Sequence, residues 1–146
     1  MKAVIQVVGQ AKLSVENKVV SEIGKGLVVY FCVEKGDLNE KLQFFAKKLA
    51  NLRIFSDENG KTNLSVQDVK GEILLVSQFT LAGDCEHGNR PSFTNAENPE
   101  RANELYLALA KLLKENFNLS VKLGVFGADM TIEQTNLGPF TVILEK

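Results

Sequence analysis

Two short segments hold the residues whose types and spacing can do chemistry. Ser77-Gln78-Phe79-Thr80-Leu81 ends an apolar run, and Asn136-Leu137-Gly138-Pro139-Phe140-Thr141 interrupts a strand-like C-terminal stretch. The first brings two hydroxyls, one amide and the main-chain N–H groups of Phe79 and Thr80 to the end of a strand expected to be buried. Donors of that kind can stabilise an oxyanion in a dry pocket. The second contains a Gly-Pro step. Glycine has no Cβ to clash with the proline ring, and an X-Pro bond costs only about 0.5–1 kcal/mol to be cis. A hairpin tip of this composition, expected to be cis at Gly138-Pro139, presents two adjacent carbonyls in one direction. It can read the shape of a small ligand without a side chain. Gly-Pro is also ordinary turn punctuation. Thr80 reads equally well as a strand-end hydroxyl bonded to backbone, and Gln78 as a strand-end cap.

Other catalytic patterns are missing. The one histidine, His87, lies in the polar loop Asp84-Cys85-Glu86-His87-Gly88-Asn89. Cys85, Glu86 and His87 are conceivable metal ligands, but no second Cys/His pair stands at zinc spacing, so no metal is expected. A Ser-His-Asp triad would need Ser77 and His87 to meet, and Ser77 lacks the Gly-x-Ser-x-Gly elbow. Gly24-Lys25-Gly26 lacks the spacing and following helix of a phosphate loop, and no cofactor motif is present. The acidic turns Asp57-Glu58 and Glu97 to Glu100 read as solvated. An enzyme with these residues works through main-chain dipoles and positioning.

The elements that must carry the two segments follow from patterning. Ala3 to Val8 predicts a strand; Lys12 to Val15 and Val19 to Ile23 flank a hairpin tip at Glu16-Asn17-Lys18. Leu27 to Val33 and Glu72 to Leu81 are apolar without alternation, as strands covered on both faces are. Asp37, with Glu40 three residues on, predicts a helix cap, and Leu42, Phe45, Ala46 and Leu49 line one face of that helix. Asn98-Pro99 starts a longer helix, asparagine as cap and proline at the first position. Its apolar face is Ala102, Leu105, Tyr106, Leu109, Leu112 and Leu113. Val121 to Val125, Met130 to Gln134 and Phe140 to Leu144 predict closing strands. This order implies one α/β (α+β) domain over residues 1–146, with a largely antiparallel sheet and two main helices.

Composition sets the class. The 146 residues are 45% hydrophobic and 24% charged with a net charge of −1, the balance of an ordinary globular protein. No apolar run approaches the roughly 20 residues that span a bilayer, and Met1-Lys2-Ala3-Val4 opens a strand pattern rather than a signal peptide. A cytoplasmic protein without membrane contact is expected, with Cys32 and Cys85 as reduced thiols. A net charge near zero argues against gripping a long duplex, though not against touching a nucleic-acid end.

The two segments resemble the signature motifs of the D-aminoacyl-tRNA deacylases. The similarity covers essentially the whole chain. It extends through Leu52-Arg53-Ile54-Phe55, Asn63-Leu64-Ser65-Val66, Gly88-Asn89-Arg90-Pro91-Ser92-Phe93, Leu105-Tyr106 and Gly124-Val125-Phe126-Gly127-Ala128-Asp129-Met130. One departure stands out: where the family commonly has Gln-Arg-Val, with an arginine thought to brace the Gly-Pro segment, this chain has Gln6-Val7-Val8.

The resemblance implies a barrel-like homodimer in which each Gly138-Pro139 enters the partner's site. It implies hydrolysis of the ester of D-aminoacyl-tRNA, and of glycyl-tRNA, at the RNA 3′ end, with L-substrates rejected by clash with the Gly-Pro main chain. Ser77, Gln78, Phe79 and Thr80 are then the catalytic segment. Asn136, Gly138 and Pro139 meet the substrate, and Phe126 and Met130 wall the pocket around the terminal adenosine. Two other classes remain open at this stage: a non-catalytic nucleic-acid-binding dimer of the same fold, and a small-ester hydrolase with Ser77 as nucleophile.

Overall fold

The computed structural model describes residues 1–146. Its elements are β1 (Lys2–Val15), β2 (Lys18–Ile23), β3 (Gly26–Cys32), α1 (Lys41–Asn51), β4 (Phe55–Ser56), β5 (Thr62–Leu64), β6 (Glu72–Ser77), α2 (Pro99–Phe117), β7 (Ser120–Leu123) and β8 (Thr131–Glu145), with a 3-10 helix at Phe79–Ala82 after β6. The fold is mixed α+β.

β1 organises the sheet. Its first half, Lys2 to Val8, pairs antiparallel with β3, and its second half, Ala11 to Val15, pairs antiparallel with β2. Its other edge carries β8, antiparallel along nearly the whole length. The expected Ala3–Val8 and Lys12–Val15 strands are therefore one strand. Glu16 and Asn17 both take positive φ, closing a tight β1–β2 turn. That backbone is the one whose twist suits a two-residue hairpin.

The sheet is mostly antiparallel, as the sequence suggests, with parallel pairing beyond β3. β3–β6 and β6–β7 are parallel pairs. Parallel neighbours need a long crossover, and the segments containing α1 and α2 supply the two. β2 curls toward β7, where the Ser21 hydroxyl donates to the Leu123 carbonyl at 2.6 Å. The result is a nearly closed, barrel-like sheet.

Both faces of β3 and β6 are covered, which explains their unbroken apolar runs. Leu27, Val29, Phe31, Ile73 and Leu75 face a core shared with Phe45 and Leu49 of α1 and Leu105, Tyr106, Leu109 and Leu113 of α2. Val28, Leu74 and Val76 face the inside of the curl, against Val8, Ala11, Leu13 and Ile23. β3 and β6 approach so closely that a Cβ on Gly26 would collide with the Glu72 carbonyl.

Three local expectations change. β6 ends at Ser77 rather than Leu81, because the chain turns into the 3-10 helix. Asp37 does not cap α1. Glu40 stands at the cap position without a side-chain bond, and the Asp37 carboxylate pairs with Lys41 and the Met1 amino group. Gly138-Pro139 is not a hairpin tip. Asn136 pairs with Val8 and Thr141 with Gln6, so residues 137–140 bulge out of β8 opposite Val7 alone. The Asn98 cap holds: its side chain accepts from the Arg101 N–H, with Pro99 at the first helical position.

Candidate active site

A cavity of about 490 Å³ opens where β6 gives way to the 3-10 helix. Ser77, Gln78 and Phe79 form one side of it; Phe126 and Met130, in the link from β7 to β8, form another; α2 contributes Pro99, Ala102 and Tyr106. The strand ends place these groups. The N–H of Gln78 donates to the Phe31 carbonyl at 2.8 Å, a last bond to β3 before the turn. The 3-10 helix then leaves the N–H groups of its first residues, Phe79 and Thr80, without partners inside the helix, as helix starts must.

Thr80 is exposed and is not part of the cavity lining. Its hydroxyl accepts a hydrogen bond from the Gln78 side-chain amide, so the two polar residues are held together. His87 stays away from the cavity. It is exposed in its loop, where its ring and the carboxylates of Asp84 and Glu86 bring ligand atoms within 4.8 Å of one another. Cys85 is a free, exposed thiol outside that group.

The cavity also holds groups that patterning left in the core or in solvent. Glu97, expected to be solvated, is only 9% exposed in its side chain and lines the wall. Its carboxylate accepts from the Asn98 N–H at 2.8 Å and pairs with Arg101 at 3.5 Å. Its position one residue before the helix cap was the only available sign. Tyr106 donates its hydroxyl to the Leu75 carbonyl at 2.7 Å, and burial raises its pKa well above the usual phenol range. Cys32 lines the floor, and burial pushes its thiol up to about 11. Both stay protonated at neutral pH.

Asn136, Gly138 and Pro139 lie elsewhere. All three are exposed and none lines the cavity of its own chain. The Gly138–Pro139 peptide bond is cis, and Gly138 takes φ +113. A side chain there would be strained, and a Cβ would stand 2.8 Å from the Phe140 N. Polar side chains brace the bulge from within the sheet. Gln134 donates to Gln6 at 2.7 Å and to Asn136 at 2.8 Å, and Gln6 donates to the Thr141 hydroxyl at 3.3 Å. Gln6 thus ties the two flanks of the bulge together, while Val7 is buried.

The sequence model of the D-Tyr-tRNA(Tyr) deacylase family matches residues 4–145. The chain belongs to that family. A D-aminoacyl-tRNA deacylase of Persephonella marina is 53% identical over 145 residues, covering 99% of this chain and 97% of that protein. One of Clostridium botulinum is 50% identical with the same coverage. Among solved structures, one named as a c-Myc DNA Unwinding Element Binding Protein superposes with a TM-score of 0.95 at 38% identity, covering 100% of this chain and 99% of that one. A structure described as a probable eukaryotic D-amino acid tRNA deacylase superposes at 0.84 with 19% identity, which bears on the fold alone. The deacylase family is one of hydrolases, and its match spans both motifs and every strand of the sheet.

Proposed function

We propose that the chain hydrolyses the ester of D-aminoacyl-tRNA, and of glycyl-tRNA, releasing the amino acid and tRNA. It works in the cytoplasm as a homodimer on the 3′ end of the RNA. The observation that carries this is the seating of Ser77, Gln78 and Phe79 against an apolar cavity in a chain of the deacylase family.

An aminoacyl ester is already activated, so water in the right place and a stabilised oxyanion are what hydrolysis requires. The N–H groups of Phe79 and Thr80 supply the oxyanion donors; loss of one such donor typically costs roughly 100- to 1000-fold in rate. Gln78, held by Thr80, orients the terminal ribose. Phe126 and Met130 wall the adenosine. No histidine lines the cavity, the Cys32 thiol and Tyr106 phenol are neutral, and of its two carboxylates Glu97 is tied to Asn98 and Arg101 while Asp129 stands exposed. The substrate's own 2′-OH takes the part of proton transfer.

Handedness comes from the partner's bulge. The carbonyls of Gly138 and Pro139 hold the amino group, so a D-side chain projects outward and an L-Cβ strikes main chain. Glycine, lacking Cβ, passes. Rejection by built-in clash lets many D-residues share one site. Three features support the two-fold arrangement. The bulge does not line its own cavity. The outer edge of β8 has no strand partner, and long bare edges seek one. Ile143 and Leu137 on that strand are 70% and 41% exposed.

One observation favours a second function: the close structural match named for binding a DNA element fits a non-catalytic nucleic-acid-binding dimer. The Ser77-nucleophile hydrolase loses ground, because His87 does not line the cavity. Purified chain incubated with D-tyrosyl- and L-tyrosyl-tRNA separates them. Release of D-tyrosine with the L-ester intact is expected; RNA binding without release would establish the non-catalytic function.

A further inference from the structure

Phe79 faces two ways. It lines the cavity, yet the residue is 55% exposed. Its ring meets that of Phe93 edge-on, with centroids 5.4 Å apart and planes at 72°, and Phe93 is itself 38% exposed. Two aromatic rings side by side at a cavity rim form an apolar surface that water covers poorly.

The pair is held from behind. Asp84 and Ser92 exchange two main-chain hydrogen bonds of 2.8 and 2.9 Å, closing the loop ahead of Phe93. Gly83 sits so near that a Cβ there would come within 2.9 Å of the Phe93 ring. Phe93 is thus placed by backbone pairing and close contact, independently of any ligand.

We propose that the Phe79–Phe93 pair is the stacking subsite for the base of the nucleotide preceding the terminal one. This rests on the deacylase function proposed above. The cavity, about 490 Å³, lies within the size range of small-ligand pockets. It has room for a terminal nucleoside and its ester, which leaves the next base on the rim. The cavity lining contains no lysine, arginine or histidine, and its charged members are the carboxylates of Glu97 and Asp129. A phosphate near the mouth finds no cation among these residues, so the strand is gripped there through its bases. Base–aromatic stacking does this whatever the base. Continuity fixes the place: Phe79 is at once cavity wall and half of the exposed pair.

The test compares three substrates of the purified enzyme: D-tyrosyl-tRNA, the D-tyrosyl ester of the dinucleotide cytidylyl-adenosine, and that of adenosine alone. Phe93→Ala is expected to raise KM by about 5- to 150-fold for the first two, the range that stacking provides. It should leave kcat/KM on the adenosine ester within about 2-fold. Phe93→Trp should restore the KM of both larger substrates. A tRNA made abasic at the penultimate position should show the same KM rise with wild-type enzyme and no further rise with Phe93→Ala. An equal loss on all three substrates would overturn the subsite; with a weakened dimer, it would assign the pair to contact with a second copy. Unchanged KM on all three would overturn it as well. If wild-type chain turns over none of the three, the deacylase function itself falls, and the subsite with it.

Discussion

At the scale of single residues, the cavity is unusual for what it lacks. Ser77 and Gln78 bring a hydroxyl and an amide from one turn, no histidine is within the lining, the Cys32 thiol and Tyr106 phenol are protonated, and Glu97 is engaged by Arg101. On the mechanism proposed above, in which main-chain donors and the substrate's hydroxyl carry the chemistry, Thr80→Ala and His87→Ala should each retain measurable deacylation. Replacing the terminal 2′-OH of the tRNA by hydrogen should cost far more, roughly 100-fold or above in kcat, on the scale of general acid–base contributions. Single-turnover rates on both tRNAs decide it, and abolition by His87→Ala with the fold intact would restore the triad. Gln6 is the residue that answers for Val7. It bonds Gln134 on one side of the bulge and Thr141 on the other, a span that an arginine is thought to brace in relatives. Gln6→Ala should loosen the bulge and lower kcat/KM for D-tyrosyl-tRNA about 10-fold. The melting temperature should fall little, because each lost hydrogen bond is worth only about 1 kcal/mol and its partners face solvent. Unchanged kinetics would mean that the bulge needs no brace.

At the scale of elements, the segment before α1 depends on one buried carboxylate. Asp37 is 3% exposed. It pairs with the Met1 amino group, pairs with Lys41 at 2.6 Å and accepts the Glu34 N–H at 2.8 Å. Its carbonyl takes Arg101 of α2 at 2.7 Å. Burial by itself would raise the Asp37 carboxyl, but the hydrogen bonds from Lys41, the Met1 amino group and Glu34 outweigh it and hold the group below its ordinary 3.8. The sign follows from linkage: a depressed carboxyl stabilises the fold fully above 3.8 and loses that contribution as the pH falls through the lowered value. Asp37→Asn should destabilise the chain by about 3 kcal/mol at pH 7, the usual result of removing one partner from a buried pair. As the pH falls below 3.8 and through the lowered value, the wild-type and variant curves should converge. Urea unfolding at several pH values measures both, and a pH-independent difference would refute the ion-pair account.

At the scale of the whole molecule, two halves of one proposed site lie apart in a single chain. The turn proposed to be catalytic borders the cavity, while Gly138 and Pro139 are exposed on β8. Two-fold association is the common way for a small protein to bring such parts together. A complementation experiment tests it. Gln78→Ala damages the turn, and Gly138→Ala damages the bulge, since φ +113 and the nearby Phe140 N admit no side chain. Homodimers of either variant should be nearly inactive. A mixed dimer should regain about half the wild-type rate per dimer, because one of its two sites then has both parts intact. No recovery would place both parts in the same chain's site. A net charge of −1 fits the proposed engagement of an RNA end rather than the length of a duplex.

Much of this was legible in the chain itself. The unbroken apolar runs of β3 and β6 read as strands covered on both faces, and the Asn98-Pro99 start of α2 is local chemistry carried by adjacent residues. Both motifs were visible because Gly-Pro and Ser-Gln-Phe-Thr carry their chemistry in adjacent residues. What the tertiary structure alone decided depends on pairing at a distance. Gly138-Pro139 became a bulge rather than a hairpin tip because β1 runs unbroken beside both of its flanks, and strand register is a property of two segments. Asp37 was drawn from its expected cap by a buried ammonium, a partner 36 positions away. Glu97 entered the cavity wall because α2 packs across the end of β6. Its partners, Asn98 and Arg101, are local, but the wall it joins is built from β3, β6 and the β7–β8 link, and only the fold brings those together.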